Sequence, residues 1–197
     1  MFVQVIEGKT NDPSAIIEQG DRWQREVRPG AIGYLGVTAG VTADGQSVAI
    51  VRFEDEAAAR ANAGRPEQTA WFEGMAKLYD GEPTFTESSD VTEWMGGGSN
   101  DAGFVQVMRS TGVDRSQVEK MDAAFEPFAA QRPDLLGGLR IWTGADSCID
   151  VAYFTTVEEA RKGEQAELPD EMKELMGEFA GGMGETTYLD LTAPQLH

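Results

Sequence analysis

At 197 residues the chain has room for one large domain or two small ones, and its 41% hydrophobic and 25% charged residues suit a globular protein with a buried core. Thirty-four acidic against sixteen basic residues give a formal net charge of −18, which repels phosphate backbones and anionic surfaces and so excludes nucleic acid and membrane as partners. A single cysteine, Cys148, excludes an internal disulfide, and the opening residues lack the basic and apolar regions of a secretion signal, so the expected location is cytoplasmic.

The chain opens on a strand in which Phe2, Gln4 and Ile6 alternate with Val3 and Val5. Asp12-Pro13 is an N-cap with proline at the first helical position, and Ile16, Gly20, Trp23 and Val27 then fall on one helical stripe, which reads as core. Strands around 32–38 and 47–53 join through Asp44-Gly45, a hairpin signal. A short helix from Glu56 to about Ala61 follows, with Asn62 and Gly64 as its cap. A longer helix after Pro66 carries Trp71, Met75 and Leu78 on one face, and a strand near 84–87 closes the segment.

Gly96-Gly97-Gly98-Ser99-Asn100-Asp101 reads as a flexible linker. After it, Phe104-Val105-Gln106-Val107 repeats Phe2-Val3-Gln4-Val5 letter for letter. Asp114, Ser116, Arg132-Pro133, Gly137, Phe154, Arg161 and Gly184-Glu185 then keep step with Asp12, Ser14, Arg28-Pro29, Gly33, Phe53, Arg60 and Gly81-Glu82. The second stripe is Val118, Met121, Phe125 and Phe128, in a helix that Pro127 is expected to kink or end early. Strands over 139–143 and 148–154 follow, then the capping box Thr156-Val157-Glu158-Glu159. A helix after Pro169 has Met172, Leu175, Met176 and Phe179 as its apolar face, and a strand over 186–191 ends the copy. The expected division is therefore 1–95, a linker at 96–101, and 102–197.

Each copy reads β-α-β-β-α-β, the ferredoxin-like order, so the fold class is α+β with two tandem ferredoxin-like units. The Phe-Val-Gln-Val strands, the hairpins ending in Phe53 and Phe154, and the helix start Glu54-Asp55-Glu56-Ala57-Ala58-Ala59 carry a resemblance. The chain resembles the dimeric α/β barrel superfamily, and within it the antibiotic biosynthesis monooxygenase (ABM)-like group. The resemblance implies units packed sheet to sheet as an intrachain dimeric α/β barrel, present as a monomeric pseudo-dimer or as a homodimer. It also implies either a cofactor-independent, quinol-type monooxygenase or a non-catalytic small-molecule-binding or structural protein. The haem-degrading branch needs a histidine on the second helical region; the one histidine here, His197, reads as a disordered tail residue.

Sheet-to-sheet packing places the expected pocket between the copies, lined by residues that point away from the helices. Alternation from Phe53 and Phe154 assigns Ile50 and Arg52 to it from one copy and Val151 and Tyr153 from the other, with Gln4, Gln106 and Trp142 beside them. A small aromatic or polyketide-like ligand is expected there. Arg52 would stabilise its anion and Tyr153 would exchange a proton or hold it, which makes these two the catalytic candidates. Arg52 paired with a carboxylate is the alternative, as core packing is for Trp71, the remaining candidate for the pocket wall. One terminal histidine excludes a Ser/His/Asp set, and neither a metal-ligand cluster nor a dinucleotide fingerprint appears, so no metal and no cofactor are expected.

Overall fold

The computed structural model describes residues 1–167, 170–182 and 184–197. The first copy runs β1 (Phe2–Lys9), α1 (Pro13–Glu26), β2 (Tyr34–Val41), β3 (Gln46–Phe53), α2 (Glu56–Ala63), α3 (Pro66–Ala76) and β4 (Thr84–Ser88). A further strand, β5 (Val91–Trp94), precedes the second copy: β6 (Phe104–Ser110), α4 (Arg115–Ala129), β7 (Leu135–Trp142), β8 (Cys148–Phe154), α5 (Val157–Glu164), α6 (Asp170–Gly182) and β9 (Thr186–Leu191). A two-residue strand, β10 (Gln195–Leu196), comes last. The expected helix start at Pro169 lies outside the described residues, as do the side chains of Met172 and Phe179 on α6.

Helix starts follow the local chemistry of the sequence. The Asp12 and Asp55 carboxylates accept the Ala15 and Ala58 N–H groups, and the Thr156 hydroxyl accepts that of Glu159. Pro127 does not stop α4, which runs past it to Ala129; the ring sits in the last turn, where the missing donor costs a single helical bond. Among the described residues no helix is long and apolar enough to cross a membrane.

Two five-stranded antiparallel sheets result, in the orders β10-β2-β3-β1-β4 and β5-β7-β8-β6-β9. The compact units are Met1–Val91 with Ala193–His197, and Thr92–Thr192, so the glycine-rich 96–101 segment lies inside the second unit. In the first sheet the pairs Phe2↔Phe53, Gln4↔Val51 and Ile6↔Ala49 share one face. That face meets the helices: Phe2, Phe53 and Ala59 are buried together, with Tyr34, Val51 and Ala58 against them. Val3, Val5, Val48 and Ile50 on the opposite face are also buried.

Each unit carries the same polar clamp. Gln4 Nε2 and Arg60 Nη1 donate to Glu87 Oε1 at 2.7 and 2.6 Å, tying β1, α2 and β4, and the Arg60 guanidinium lies 5.7 Å from the Phe2 ring centre. Gln106, Arg161, Asp190 and Phe104 repeat the arrangement. The Arg60 hydrogen bonds hold the Glu87 carboxyl below its ordinary 4.5, so its contribution to stability is present above that value and is lost as pH falls through the lowered one. A Glu87→Gln variant is expected to be less stable near neutrality by up to about 1 kcal/mol, the pair being partly exposed. The deficit should shrink as pH falls below 4.5 in thermal denaturation; a deficit of constant size would assign it to packing.

Candidate functional site

Between the helix-facing side of the first sheet and α1–α3 lies a partly enclosed cavity of about 110 Å³. An apolar cavity of roughly 150 Å³ accepts a benzene ring, so this one is of single-ring size with room to extend through its open side. Its walls are built by positions that the sequence marks as helix stripes and strand alternation. Ile16, Gly20 and Trp23 of α1 line it, although their stripe reads as solid core, and so do Trp71 and Met75 of α3.

Tyr34 enters the cavity because β2 is irregular at its start. The register shifts between Tyr34 and Gly36, and Gly36 adopts a φ of 153°, open to glycine and strained for other residues. The Tyr34 ring packs 4.8 Å from Trp23 and 6.1 Å from Phe53, centre to centre, while Trp23 lies 6.4 Å from Trp71. Burial pushes the Tyr34 hydroxyl above its ordinary 10.0, against the hydrogen bond from Gln24 and the charges of Arg28 and Arg52. Tyr79 is raised by burial as well, against a hydrogen bond to Ser47. Both side chains therefore stay neutral phenols at physiological pH.

The indole N–H groups are already engaged. Trp23 Nε1 donates to Gln68 Oε1 at 2.6 Å, and Trp71 Nε1 donates to the Gln19 carbonyl at 2.8 Å while Gln19 Nε2 returns a bond to the Trp71 carbonyl at 2.9 Å. These bonds fix both rings, which leaves their faces for a ligand. Asn62, expected in a helix cap, is instead 6% exposed and lines the cavity; its Oδ1 accepts from Arg65 at 3.0 Å, and Gly64 is the C-cap.

The sequence-derived candidates separate into two groups. Gln4 and Trp71 line the cavity, and Gln4 lies on the helix side because it pairs with Val51, not with Arg52. Gln106 likewise pairs with Ala152 on the helix-facing side of the second sheet, and Trp142 packs with Val113, Val118 and Cys148. Ile50 and Arg52 occupy the opposite face of β3, where Arg52 Nε is buried without a hydrogen-bond partner. Val151 and Tyr153 hold the matching positions on β8, fully buried. The cavity of the first unit thus lies on the helix side of its sheet, whereas the expected pocket faces away from the helices.

Sequence reading missed the C-terminal contribution entirely. The Val37 N–H donates to the His197 carbonyl at 2.8 Å and the His197 N–H to the Val37 carbonyl at 3.1 Å, so the segment read as a disordered tail is paired on β2. Gln195 and His197 both line the cavity. The available signal was the repeat itself: each copy continues past its last strand, and the spacing that aligns Glu87 with Asp190 aligns Trp94 with His197.

No protein-family model matches the sequence, and no curated protein matches it. Solved structures do. A Lactobacillus acidophilus protein assigned as a monooxygenase superposes over 100% of this chain and 99% of its own, with a TM-score of 0.71 at 14% identity. An anthrone oxidase-like protein covers 100% and 92%, at 0.64 and 13%. A Listeria monocytogenes ferredoxin-fold protein related to antibiotic biosynthesis monooxygenases covers 99% and 95%, at 0.53 and 10%. The fold is that of the antibiotic biosynthesis monooxygenases.

Within this monooxygenase fold the two units differ in what fills the helix-facing side. Register and helix caps align Gly20, Ala39 and Ala49 of the first unit with Asp122, Arg140 and Asp150 of the second. Where the first unit has three small residues around its cavity, the second has an ion-pair cluster: Arg140 Nε to Asp150 at 2.7 Å and Nη1 to Asp122 at 2.6 Å. Trp94 adds to the filling, since its ring lies where a side chain on Gly138 would stand, and it packs on the Phe104, Leu135 and Phe154 cluster. Cys148 packs with Val113, Val118 and Trp142 and faces Asp150, its thiol pushed up to about 12 by burial first and then by that carboxylate, so it stays protonated near neutrality.

Proposed function

We propose that the chain binds one small hydroxylated aromatic molecule in the first unit and oxidises it with dioxygen, without a cofactor. The observation that supports this best is the lining: Trp23, Tyr34, Phe53 and Trp71 surround a single-ring space with the amides of Gln4, Gln24, Asn62 and Gln68 at its margin. Aromatic faces hold a flat ligand, and the amides fix its oxygens. Arg52, on the far side of β3, contributes through its field, as it does at Tyr34. One protein of this fold carries an anthrone oxidase-like name, and that chemistry suits the site. An anthrone CH2 becomes C=O by taking one oxygen atom of O2, and its two hydrogens leave with the other as water.

Anaerobic calorimetry with dihydroxyanthrone is expected to give one equivalent per chain, since the Arg140 ion pairs and Trp94 occupy the matching region of the second unit. In air, one O2 should disappear for each quinone formed. Binding with no oxygen uptake would favour the second reading, a ligand-binding protein of the same fold; no binding of the anthrone or of a single-ring phenol would overturn both. A Trp71→Leu variant is expected to bind the anthrone about 3- to 10-fold more weakly, the equivalent of one aromatic contact at about 0.5–1.5 kcal/mol.

A further inference from the structure

An oxidisable phenol or anthrone reacts with dioxygen through its anion, so the site that uses it must accept a proton. The net charge of −18 disfavours entry of a preformed anion, which moves that proton transfer inside the cavity. Among the described residues the cavity wall contains no Asp, Glu, Lys or Arg side chain, and Tyr34 and Tyr79 are held as neutral phenols. What remains is an imidazole, the side chain suited to proton exchange near neutrality. His197 pairs with Val37 through both main-chain bonds, and residues so paired project to the same face. Val37 in turn pairs with Val51, on the face that borders the cavity.

From this geometry we infer that His197, delivered by the C-terminal strand, is the catalytic base of the cavity; the inference rests on the function proposed above. The ligand O–H (or acidic C–H) bond breaks, an N–H bond forms on the imidazole, and the electron pair stays on the ligand as an anion paired with the imidazolium. No net charge enters the site. Around the C-terminal strand, Arg52 on β3 borders Gly36 together with the His197 carbonyl, Asp21 on α1 accepts from Gln195 at 2.9 Å, and Tyr34 on β2 lines the same cavity. The matching position of the second unit is Trp94, which cannot take a proton.

The test uses 4-nitrophenol, whose phenolate is coloured, and 4-nitroanisole, which has no acidic proton. In a His197→Gln variant, 4-nitroanisole should bind as it does to the unaltered protein, which also reports an intact cavity. Bound 4-nitrophenol should ionise at a pH higher by about one unit or more, a tenfold loss of phenolate at fixed pH. Equal ionisation in both proteins, with both probes bound, overturns the role of His197 and leaves the site standing. Failure of both probes to bind the unaltered protein overturns the site and the inference with it.

Discussion

An Ala39→Arg/Ala49→Asp double variant is expected to fold and to lose aromatic ligands by at least about 100-fold, close to 3 kcal/mol. The two alanines stand where Arg140 and Asp150 stand in the second unit, so the backbone of the first unit already matches one that carries the pair. An arginine side chain alone exceeds what a cavity of about 110 Å³ leaves beside a bound ring. The single Ala39→Arg variant should be the unstable one, because it places an uncompensated cation among Trp23, Tyr34 and Val51, at a cost of several kcal/mol. Adding Ala49→Asp returns most of that by pairing and by charge-assisted hydrogen bonds. Calorimetric titration and thermal denaturation of the three proteins check both parts. A double variant that keeps its ligand affinity within threefold would place the binding site elsewhere.

Much of this was legible in the sequence, and the failures have physical causes. The repeat was visible because Phe2-Val3-Gln4-Val5 and Phe104-Val105-Gln106-Val107 occupy the same places in their sheets. Alternation showed which residues of one strand share a face, and it placed Ile50 with Arg52 and Val151 with Tyr153. It does not say which faces of two strands coincide; register decides that, and register puts Gln4 beside Val51. The stripe Ile16, Gly20, Trp23 reads as core in any helix, since a core and an apolar cavity wall have the same pattern. The difference lies in what stands opposite, Ala39 and Ala49, which only the folded sheet brings near α1. The strands β5 and β10 have four and two residues, too few for a period, and each pairs at a sheet edge far along the chain.

The second unit should be the more sensitive to loss of a single charge. Arg140 and Asp150 have side chains only 15% and 16% exposed, and burial raises the Asp150 carboxyl above its ordinary 3.8 even against the pull of Arg140. Arg140→Ala removes that pull, and the buried carboxylate left behind is expected to cost about 3–5 kcal/mol near neutrality. The sign of the pH dependence follows. With its folded value raised further, the Asp150 carboxyl binds a proton in the folded chain at pH values where the unfolded chain has released it. Stability therefore falls as pH rises through the folded value and is regained as pH is lowered toward 3.8. Denaturant unfolding of Arg140→Ala should show its deficit shrinking as pH is lowered from neutrality toward 3.8, the reverse of the trend set by Glu87. In Arg140→Ala/Asp150→Ala the cost should fall short of the sum of the single variants by about 0.5–3 kcal/mol, with no such pH trend. Additive costs, or a deficit that does not move with pH, would mean that the pair only fills space, and the charged cluster would then have no role that three apolar side chains could not take.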